Sequence, residues 1–222
     1  MTSSLTRSWT AVLFDLDGTI LDSAPGIVQA LSDTLKHMNV PVPSDEQLME
    51  FIGPPLMSSF QEIAGLTEAQ AVEALAIYRS DYRKDGAFNS AVFPGIVGLL
   101  ESLNESKVPV VLATSKYEAQ ALRILEHFEL TQYFTTVAGA PDDAARTSKA
   151  DIVGRALSNL AAQGGDLSMP VLVGDRVYDV EAANANNIPA IIVEWGYGSP
   201  AEAQGAIATV YSADKLRELL LG

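Results

Sequence analysis

The sequence predicts an α/β protein with a parallel sheet covered by helices on both faces, and with an all-helical block inserted after the first strand. Short apolar segments alternate with amphipathic helical patterns after residue 95, and strands buried on both faces read as such continuous apolar runs. The insertion is predicted because Ser23 to Asn89 shows helical spacing and no convincing strand. The predicted core is therefore discontinuous, with residues 1–22 and 90–222, and the helical domain comprises residues 23–89.

The first strand and the inserted block come first along the chain. The run Trp9–Phe14 is short, apolar and typical of a buried strand. Three helices follow, each marked by apolar spacing or by a start or stop signal: Pro25–Met38, a helix that starts at the capping box Ser44/Gln47 and stops at Gly53-Pro54-Pro55, and a long helix from Thr67/Gln70 towards Gly86.

Strands and helices then alternate to the end of the sequence. The predicted strands are Val108–Ala113, Phe134–Ala138, Val171–Val173, Ala190–Val193 and a short one near Ala208–Tyr211. The predicted helices contain Ile96 to Leu103, Tyr117–Phe128, Ala150–Leu160, Val180–Asn186 and Ala213–Leu221. Ligands of open α/β sheets bind at the carboxyl ends of the strands, so we expect the functional site there.

Composition excludes several classes of function. The 14 Lys and Arg residues against 28 Asp and Glu give a formal charge of −14, which disfavours binding to nucleic acid polymers or anionic membranes. The chain has no cysteine, which excludes disulfides and thiolate chemistry and fits the cytoplasm. We expect no membrane span and no secretory signal, since the first ten residues lack an apolar segment.

Polar side chains collect where the predicted strands end. They are Asp15, Asp17 and Gly18 after the first strand, Thr114 and Ser115 after the second, Lys149 at a helix start, and Asp175 and Asp179. Several carboxylates without nearby histidine favour a hard cation such as Mg²⁺ over zinc. A threonine hydroxyl, helix-start amides and a lysine suit the oxygens of a phosphoryl group. One carboxylate could attack phosphorus while another transfers protons.

Simpler interpretations exist for the same residues. Asp17-Gly18 is a common turn pair, and Thr114 could cap the helix that follows it. Lys149 could be a solvated lysine, although the helix dipole disfavours a cation in a first turn. Asp179 could be only a favourable negative charge at a helix N-terminus.

Four ordered motifs resemble those of the haloacid dehalogenase superfamily: FDLDGT, ATSK, Lys149 and GDRVYD. The resemblance covers nearly the whole chain and implies a Rossmann-like three-layer core with a small all-helical cap domain. The segments FIGPPLMSSF and NSAVFPGI look like the branch of phosphoglycolate phosphatase-like and 5′-nucleotidase-like enzymes.

The resemblance implies a role for each motif residue. It implies Asp15 as nucleophile and metal ligand, Asp17 as general acid and base with its carbonyl on the metal, and Asp175 as a further metal ligand. Asp179 would support the metal either through a water molecule or by contacting its ligands. Thr114, with amides around Gly18 and Ser115, would hold the phosphoryl oxygens, and Lys149 would neutralise nucleophile and phosphate. Substrate contacts are expected from Gly53 and Pro54 of the cap. Arg79, Arg83 and Arg146 could also reach a substrate, although a solvated helix face is the simpler interpretation.

The expected function is a Mg²⁺-dependent phosphatase that hydrolyses small phosphomonoesters through an aspartyl-phosphate. Phosphoglycolate and a nucleoside 5′-monophosphate are the competing substrates. Haloacid dehalogenases lack the second aspartate of the first motif, so Asp17 disfavours dehalogenation. The alternatives are a phosphomutase on the same fold and a non-catalytic module that binds phosphate or a partner.

Overall fold

A six-stranded parallel sheet forms the centre of the computed structural model, which describes residues 9–84, 86–141 and 147–222. In chain order the strands are β1 (Ala11–Phe14), β2 (Leu21–Asp22), β3 (Ala91–Val92), β4 (Val110–Tyr117), β5 (Thr136–Ala140), β6 (Pro170–Gly174), β7 (Ala190–Val193) and β8 (Ala208–Val210). The order in the large sheet is β5-β4-β1-β6-β7-β8, and every neighbouring pair is parallel. The predicted α/β class is confirmed.

Helices cover both faces of this sheet. In chain order they are α1 (Ala24–His37), α2 (Asp45–Met49), α3 (Leu56–Glu62), α4 (Glu68–Lys84), α5 (Ile96–Glu105), α6 (Glu118–His127), α7 (Lys149–Ala162), α8 (Val177–Ala185) and α9 (Ala213–Leu221). Helices α5, α6 and α9 pack in one apolar cluster and α7 and α8 in another. The core therefore has three layers, as the Rossmann-like prediction requires.

The alternation of side chains along β1 explains the two clusters. Val12 and Phe14 belong to the cluster of α5, α6 and α9, whereas Ala11 and Leu13 belong to the cluster of α7 and α8. Successive side chains of a strand point to opposite faces, so a strand covered on both sides is apolar throughout. All four residues are fully buried.

The inserted block contains the predicted helices and one more. Helix α3 was not predicted, because the sequence after Gly53-Pro54-Pro55 is too short to show helical periodicity. Proline interrupts a helix but is tolerated just before a new one, and Pro55 is the N-cap of α3. Strands β2 and β3, also not predicted, pair antiparallel where the chain enters and leaves this block. The division into two domains stays a prediction.

Strand β4 is longer than predicted. It continues past Ala113 to Tyr117, with a shift of its register against β5 between these two residues. Helix α6 consequently begins at Glu118 with Tyr117 as N-cap, so the suggestion that Thr114 caps this helix is wrong. The Thr114 hydroxyl instead accepts the backbone N–H of Lys116 at 3.1 Å.

The topology brings three strand ends to one place. Strand β1 lies between β4 and β6, and the chain builds outward from β1 first on one side and then on the other. Such a reversal of strand order opens a crevice at the carboxyl ends of the strands.

Among the described residues, no helix combines the length and the apolar character needed to cross a membrane.

Candidate active site

Three buried carboxylates meet at the carboxyl ends of β1 and β6. Asp15 directly follows β1, Asp175 directly follows β6, and Asp179 lies in the first turn of α8. One carboxylate oxygen of each lies within 4.8 Å of the others. The first residue of α7, Lys149, places Nζ 2.6 Å from Asp15 Oδ1 and 3.0 Å from Asp179 Oδ1. Three carboxylates and one ammonium leave this cluster with two uncompensated negative charges when all four ionise.

The pKa values reflect burial first and this charge imbalance second. Burial raises the pKa of Asp15 to about 6, with a further increase from the Asp179 charge, although Lys149 acts in the opposite direction. Burial and the neighbouring Asp179 and Asp15 charges raise the pKa of Asp175 well above its usual value. Burial alone would lower the pKa of Lys149, but the two facing carboxylates outweigh it and raise that pKa. Ionised carboxylates are thus costly here without a further cation.

The donor set fits a divalent cation with oxygen ligands. The three carboxylates come from separate segments, all are buried, and their uncompensated charge matches a doubly charged ion. Carboxylates and carbonyls are the ligands that Mg²⁺ and Ca²⁺ prefer, and the cluster contains no histidine.

Glycine makes room for Asp175. A Cβ on Gly18 would lie 2.2 Å from Asp175 Oδ2, and Gly18 has a φ of +80°. The carboxylate of Asp175 is held by the backbone N–H of Tyr197 at 2.7 Å. The N–H of Gly18 itself donates to the Leu21 carbonyl at 2.8 Å. The N–H of Thr19 likewise donates to the Leu16 carbonyl at 3.3 Å, so both amides are engaged within the turn.

Capping explains how Lys149 and Asp179 reach the cluster. Ser148 accepts the N–H of Asp151 and forms a capping box that starts α7 at Lys149. Asp179 Oδ2 accepts the N–H of Arg176 at 3.1 Å, while its Oδ1 faces Lys149. Asp179 is thus a helix-start charge and a member of the cluster at once.

A cavity of about 600 Å³ opens above these residues. Its floor and walls include most of the predicted site: Asp15, Asp17, Gly53, Pro54, Arg79, Thr114, Ser115, Lys149 and Asp179. Gly18 and the cluster member Asp175 do not line it. The wall from the inserted block is largely apolar and aromatic, with Phe51, Leu75, Tyr78 and Tyr82. The side chain of Arg83 and all of Arg146 lie outside the described part of the chain.

Two lysines, not one, enter the site. The sequence assigned no role to Lys116, yet its Nζ lies 3.2 Å from Asp17 Oδ2. The side chain is 8% exposed, so the ammonium is desolvated and needs this partner. This lysine is the last residue of the motif ATSK, but the motif does not show whether it pairs with Asp15 or with Asp17.

The loop after β7 also belongs to the site, and sequence reasoning made no prediction for it. The Tyr197 hydroxyl accepts the N–H groups of Ser23 and Ala24 at 2.7 and 2.9 Å and donates to Asp22 at 2.9 Å. Trp195 Nε1 donates to the Thr19 carbonyl at 3.0 Å. This loop therefore holds residues 19–24, which follow Asp15 and Asp17 and lead into α1, by four hydrogen bonds.

Arg176 links the core to the inserted block. Its Nε donates to Glu202 at 2.8 Å, and its terminal nitrogen donates to the Ile52 carbonyl. A Cβ on Gly53 would lie 2.9 Å from this guanidinium, so a side chain at that position would disturb the contact. The only sequence signal for this contact was the glycine in GPPL. It predicts a turn, but it does not show that Arg176 packs against that turn.

Comparison with known proteins gives consistent matches over nearly the full chain. The sequence model of the family described as haloacid dehalogenase-like hydrolase matches residues 12–193. The structure of a predicted phosphatase from Clostridium acetobutylicum superposes with a TM-score of 0.88 at 36% identity, covering 96% of this chain and 99% of that one.

Curated relatives carry three different names. The chain is 40% identical over 213 residues to the tyrosine-protein kinase PtkA of Mycobacterium tuberculosis, covering 94% of this chain and 72% of that protein. It is 35% identical over 211 residues to a 5′-nucleotidase of Pseudomonas aeruginosa, covering 94% of both. It is 34% identical over 220 residues to a phosphoglycolate phosphatase of Cupriavidus necator, covering 95% and 93%.

Proposed function

The chain belongs to the haloacid dehalogenase-like hydrolase family, and on that premise we propose that it is a Mg²⁺-dependent phosphatase acting through an aspartyl-phosphate. The family predicted from the four motifs is thereby confirmed. The observation that carries the proposal is the buried cluster of Asp15, Asp175, Asp179 and Lys149, three of which line the cavity. We place the enzyme in the cytoplasm, with a small phosphorylated metabolite or nucleotide as its partner.

In the first step a carboxylate oxygen of Asp15 forms a bond to phosphorus as the bond to the leaving oxygen breaks. Asp17 gives a proton to that oxygen, so that an alcohol leaves. Lys149, at 2.6 Å from Asp15, compensates the charge of the nucleophile and of the phosphoryl group. The buried Thr114 hydroxyl and nearby amides, among them that of Ser115, hold the phosphoryl oxygens.

In the second step a water molecule attacks the phosphorus of the aspartyl-phosphate. Asp17 takes the proton of this water, and the bond between phosphorus and Asp15 breaks to release inorganic phosphate. The metal would be held by Asp15, Asp175 and the Asp17 carbonyl, with Asp179 behind them, and it would neutralise phosphoryl charge.

Cavity size and lining favour a nucleoside 5′-monophosphate over phosphoglycolate. A volume of about 600 Å³ suits a ligand of drug size and far exceeds the need of a two-carbon acid. Four basic side chains of the described residues line the cavity and none of them is free: Lys149 meets Asp15, Lys116 meets Asp17, Arg176 meets Glu202, and Arg79 is also engaged. They are therefore poor partners for a second anionic group on the substrate.

A panel of phosphomonoesters tests this proposal. With millimolar Mg²⁺, we expect phosphate release from p-nitrophenyl phosphate and a higher kcat/KM for nucleoside 5′-monophosphates than for phosphoglycolate. A preference for phosphoglycolate would contradict the substrate but not the chemistry. Absence of turnover on every phosphomonoester, with binding retained, would favour the non-catalytic module, and a rearranged phosphate ester as product would favour a phosphomutase.

The relatives named tyrosine-protein kinase supply a second candidate function. A kinase would move a phosphoryl group from ATP to a tyrosine hydroxyl, whereas the proposed enzyme moves it from Asp15 to water. Radiolabelled ATP separates the two, because a kinase leaves alkali-stable label on tyrosine and a phosphatase leaves none. We expect no stable label on the protein.

Metal binding has its own expected result. Titration with Mg²⁺ to about 100 times its Kd should stabilise the fold by about 2.7 kcal/mol and raise Tm by roughly 5–10 °C. Asp175→Asn removes one ligand and should lose this shift, whereas the exposed Asp33→Asn should keep it. At one fixed Mg²⁺ concentration the shift should be larger at about pH 8 than at pH 5, because Asp15, with its pKa raised to about 6, is protonated at the lower pH and the Kd rises. An equal shift in Asp175→Asn would contradict the ligand assignment.

A further inference from the structure

The Lys116 side chain joins two parts of the molecule that are distant in sequence. Its Nζ lies 3.2 Å from Asp17 Oδ2 and donates to the Tyr82 hydroxyl at 2.9 Å. The same ammonium lies 4.5 Å from the centroid of the Tyr82 ring. Tyr82 belongs to the last turn of α4, so a core lysine contacts both the proposed acid–base residue and a helix of the inserted block.

These contacts hold Lys116 in one position. The backbone of Lys116 is held by the Thr114 hydroxyl, which accepts the Lys116 N–H at 3.1 Å. Tyr82 is 4% exposed and stacks on Tyr78 with ring centroids 5.3 Å apart, so the hydroxyl that meets the lysine is itself in a fixed place. A buried ammonium that is bonded to a fixed tyrosine hydroxyl, on a residue whose N–H is also held, has little rotamer freedom.

The oxygens of Asp17 are thereby made unequal. Oδ2 faces Lys116, whereas Oδ1 is buried and has no hydrogen-bond partner among the described residues. Asp17 lines the cavity, and Oδ1 keeps its hydrogen-bonding capacity for a reacting group, although this atom is shielded from solvent in the structure. Proton transfer requires such an oxygen within hydrogen-bond reach of the reacting atom.

We propose that Lys116 is a positioning residue for Asp17 and that Tyr82 holds Lys116 in place. The packing of α4 over the cavity then determines where the acid–base carboxylate lies. The inference rests on the proposed phosphatase function. Without Lys116, the Asp17 carboxyl is free to rotate away from the leaving oxygen. A misplacement of about 1 Å costs on the order of 10²-fold in rate.

Two substrates with different leaving groups test the role of Lys116. A nucleoside 5′-monophosphate releases an alkoxide that needs a proton, whereas p-nitrophenolate leaves without one. We expect Lys116→Met to lower kcat/KM on the nucleotide about 10²-fold and on p-nitrophenyl phosphate only about threefold. The ratio kcat/KM includes steps only up to release of the leaving group, so hydrolysis of the intermediate does not affect it.

Tyr82→Phe is the milder variant, because it removes only the hydroxyl and keeps the ring over Lys116 and on Tyr78. We expect it to lower kcat/KM on the nucleotide by about three- to tenfold, with the same sparing of p-nitrophenyl phosphate. In the Lys116→Met background it should add nothing, since its partner is already gone. Tyr133→Phe, which removes a hydroxyl bonded to Glu101 outside the cavity, is the matched control and should match the wild type.

Each outcome separates the inference from the proposed function. If wild type hydrolyses both esters and Lys116→Met loses equally on both, the lysine has another role and the inference is wrong. Additive losses in the double variant would also contradict it, because they would show that Tyr82 does not act through Lys116. If wild type hydrolyses neither ester, the proposed function itself fails. Near-UV circular dichroism of each variant checks that the fold is retained.

Discussion

Asp15→Asn should reduce kcat for phosphomonoester hydrolysis by at least about 10⁴-fold, because a carboxamide cannot attack phosphorus in place of the carboxylate. The fold should be retained, since the amide has nearly the same shape and Lys149 keeps Asp179 as a partner at 3.0 Å. Burial raises the pKa of Asp15 to about 6, which means that its ionised form destabilises the folded state. In metal-free buffer near pH 8, Asp15→Asn should therefore be at least as stable as the wild type.

Trapping the intermediate makes this prediction specific for the nucleophile. Wild type quenched in acid after mixing with radiolabelled substrate should retain label that hydroxylamine releases, as expected of an acyl phosphate. Asp15→Asn should retain none. Asp33→Asn, a change of the same chemistry at an exposed position of α1, serves as control and should behave like wild type. Label in Asp15→Asn, or kcat within tenfold of wild type, would assign the nucleophile to another residue.

Lys149→Met should lower the free energy of unfolding by about 3–5 kcal/mol, in addition to its loss of activity. The ammonium is 8% exposed and faces Asp15 and Asp179, so its removal leaves three buried carboxylates without a cation. The effect should be largest without metal near pH 8 and smaller at about pH 5. The loss of stability decreases at low pH because the pKa of Asp15 is raised. Protonation of Asp15 below about pH 6 removes a negative charge that Lys149 otherwise compensates.

Urea denaturation with and without Mg²⁺ measures this effect. Added Mg²⁺ should recover part of the lost stability in Lys149→Met, since a divalent ion supplies the missing positive charge. Arg155→Met is the matched control, because Arg155 pairs with Glu118 where both side chains are more than a third exposed. It should cost no more than about 1 kcal/mol at either pH. Equal losses of unfolding free energy in the two variants would contradict the prediction, because they would show that the buried carboxylates do not depend on the charge of Lys149.

Much of the fold could be predicted from apolar periodicity and from capping residues. The predicted bounds of β7 and α9 agree with the structure, and the capping boxes at Ser44 and Thr67 form as predicted. The errors lie where the chain is short or irregular. Helix α3 has seven residues, β2 and β3 have two each, and β4 passes through a shift of register that apolar patterning does not encode.

For the site, the sequence alone determined which residue types follow each buried strand, and parallel topology makes those strand ends meet. This is why Asp15, Thr114 and Lys149 could be selected before any distance was known. Their roles in catalysis remain proposals. Only the tertiary structure decided which charged groups face each other, because the pairs Lys149–Asp15 and Lys116–Asp17 join residues that are distant in the sequence. Lys149 could have faced either aspartate of FDLDGT, and packing gives it Asp15 while Lys116 takes Asp17 and reaches Tyr82. Sequence spacing sets the edge of the sheet on which a side chain appears, but the distance between two side chains depends on how whole elements pack.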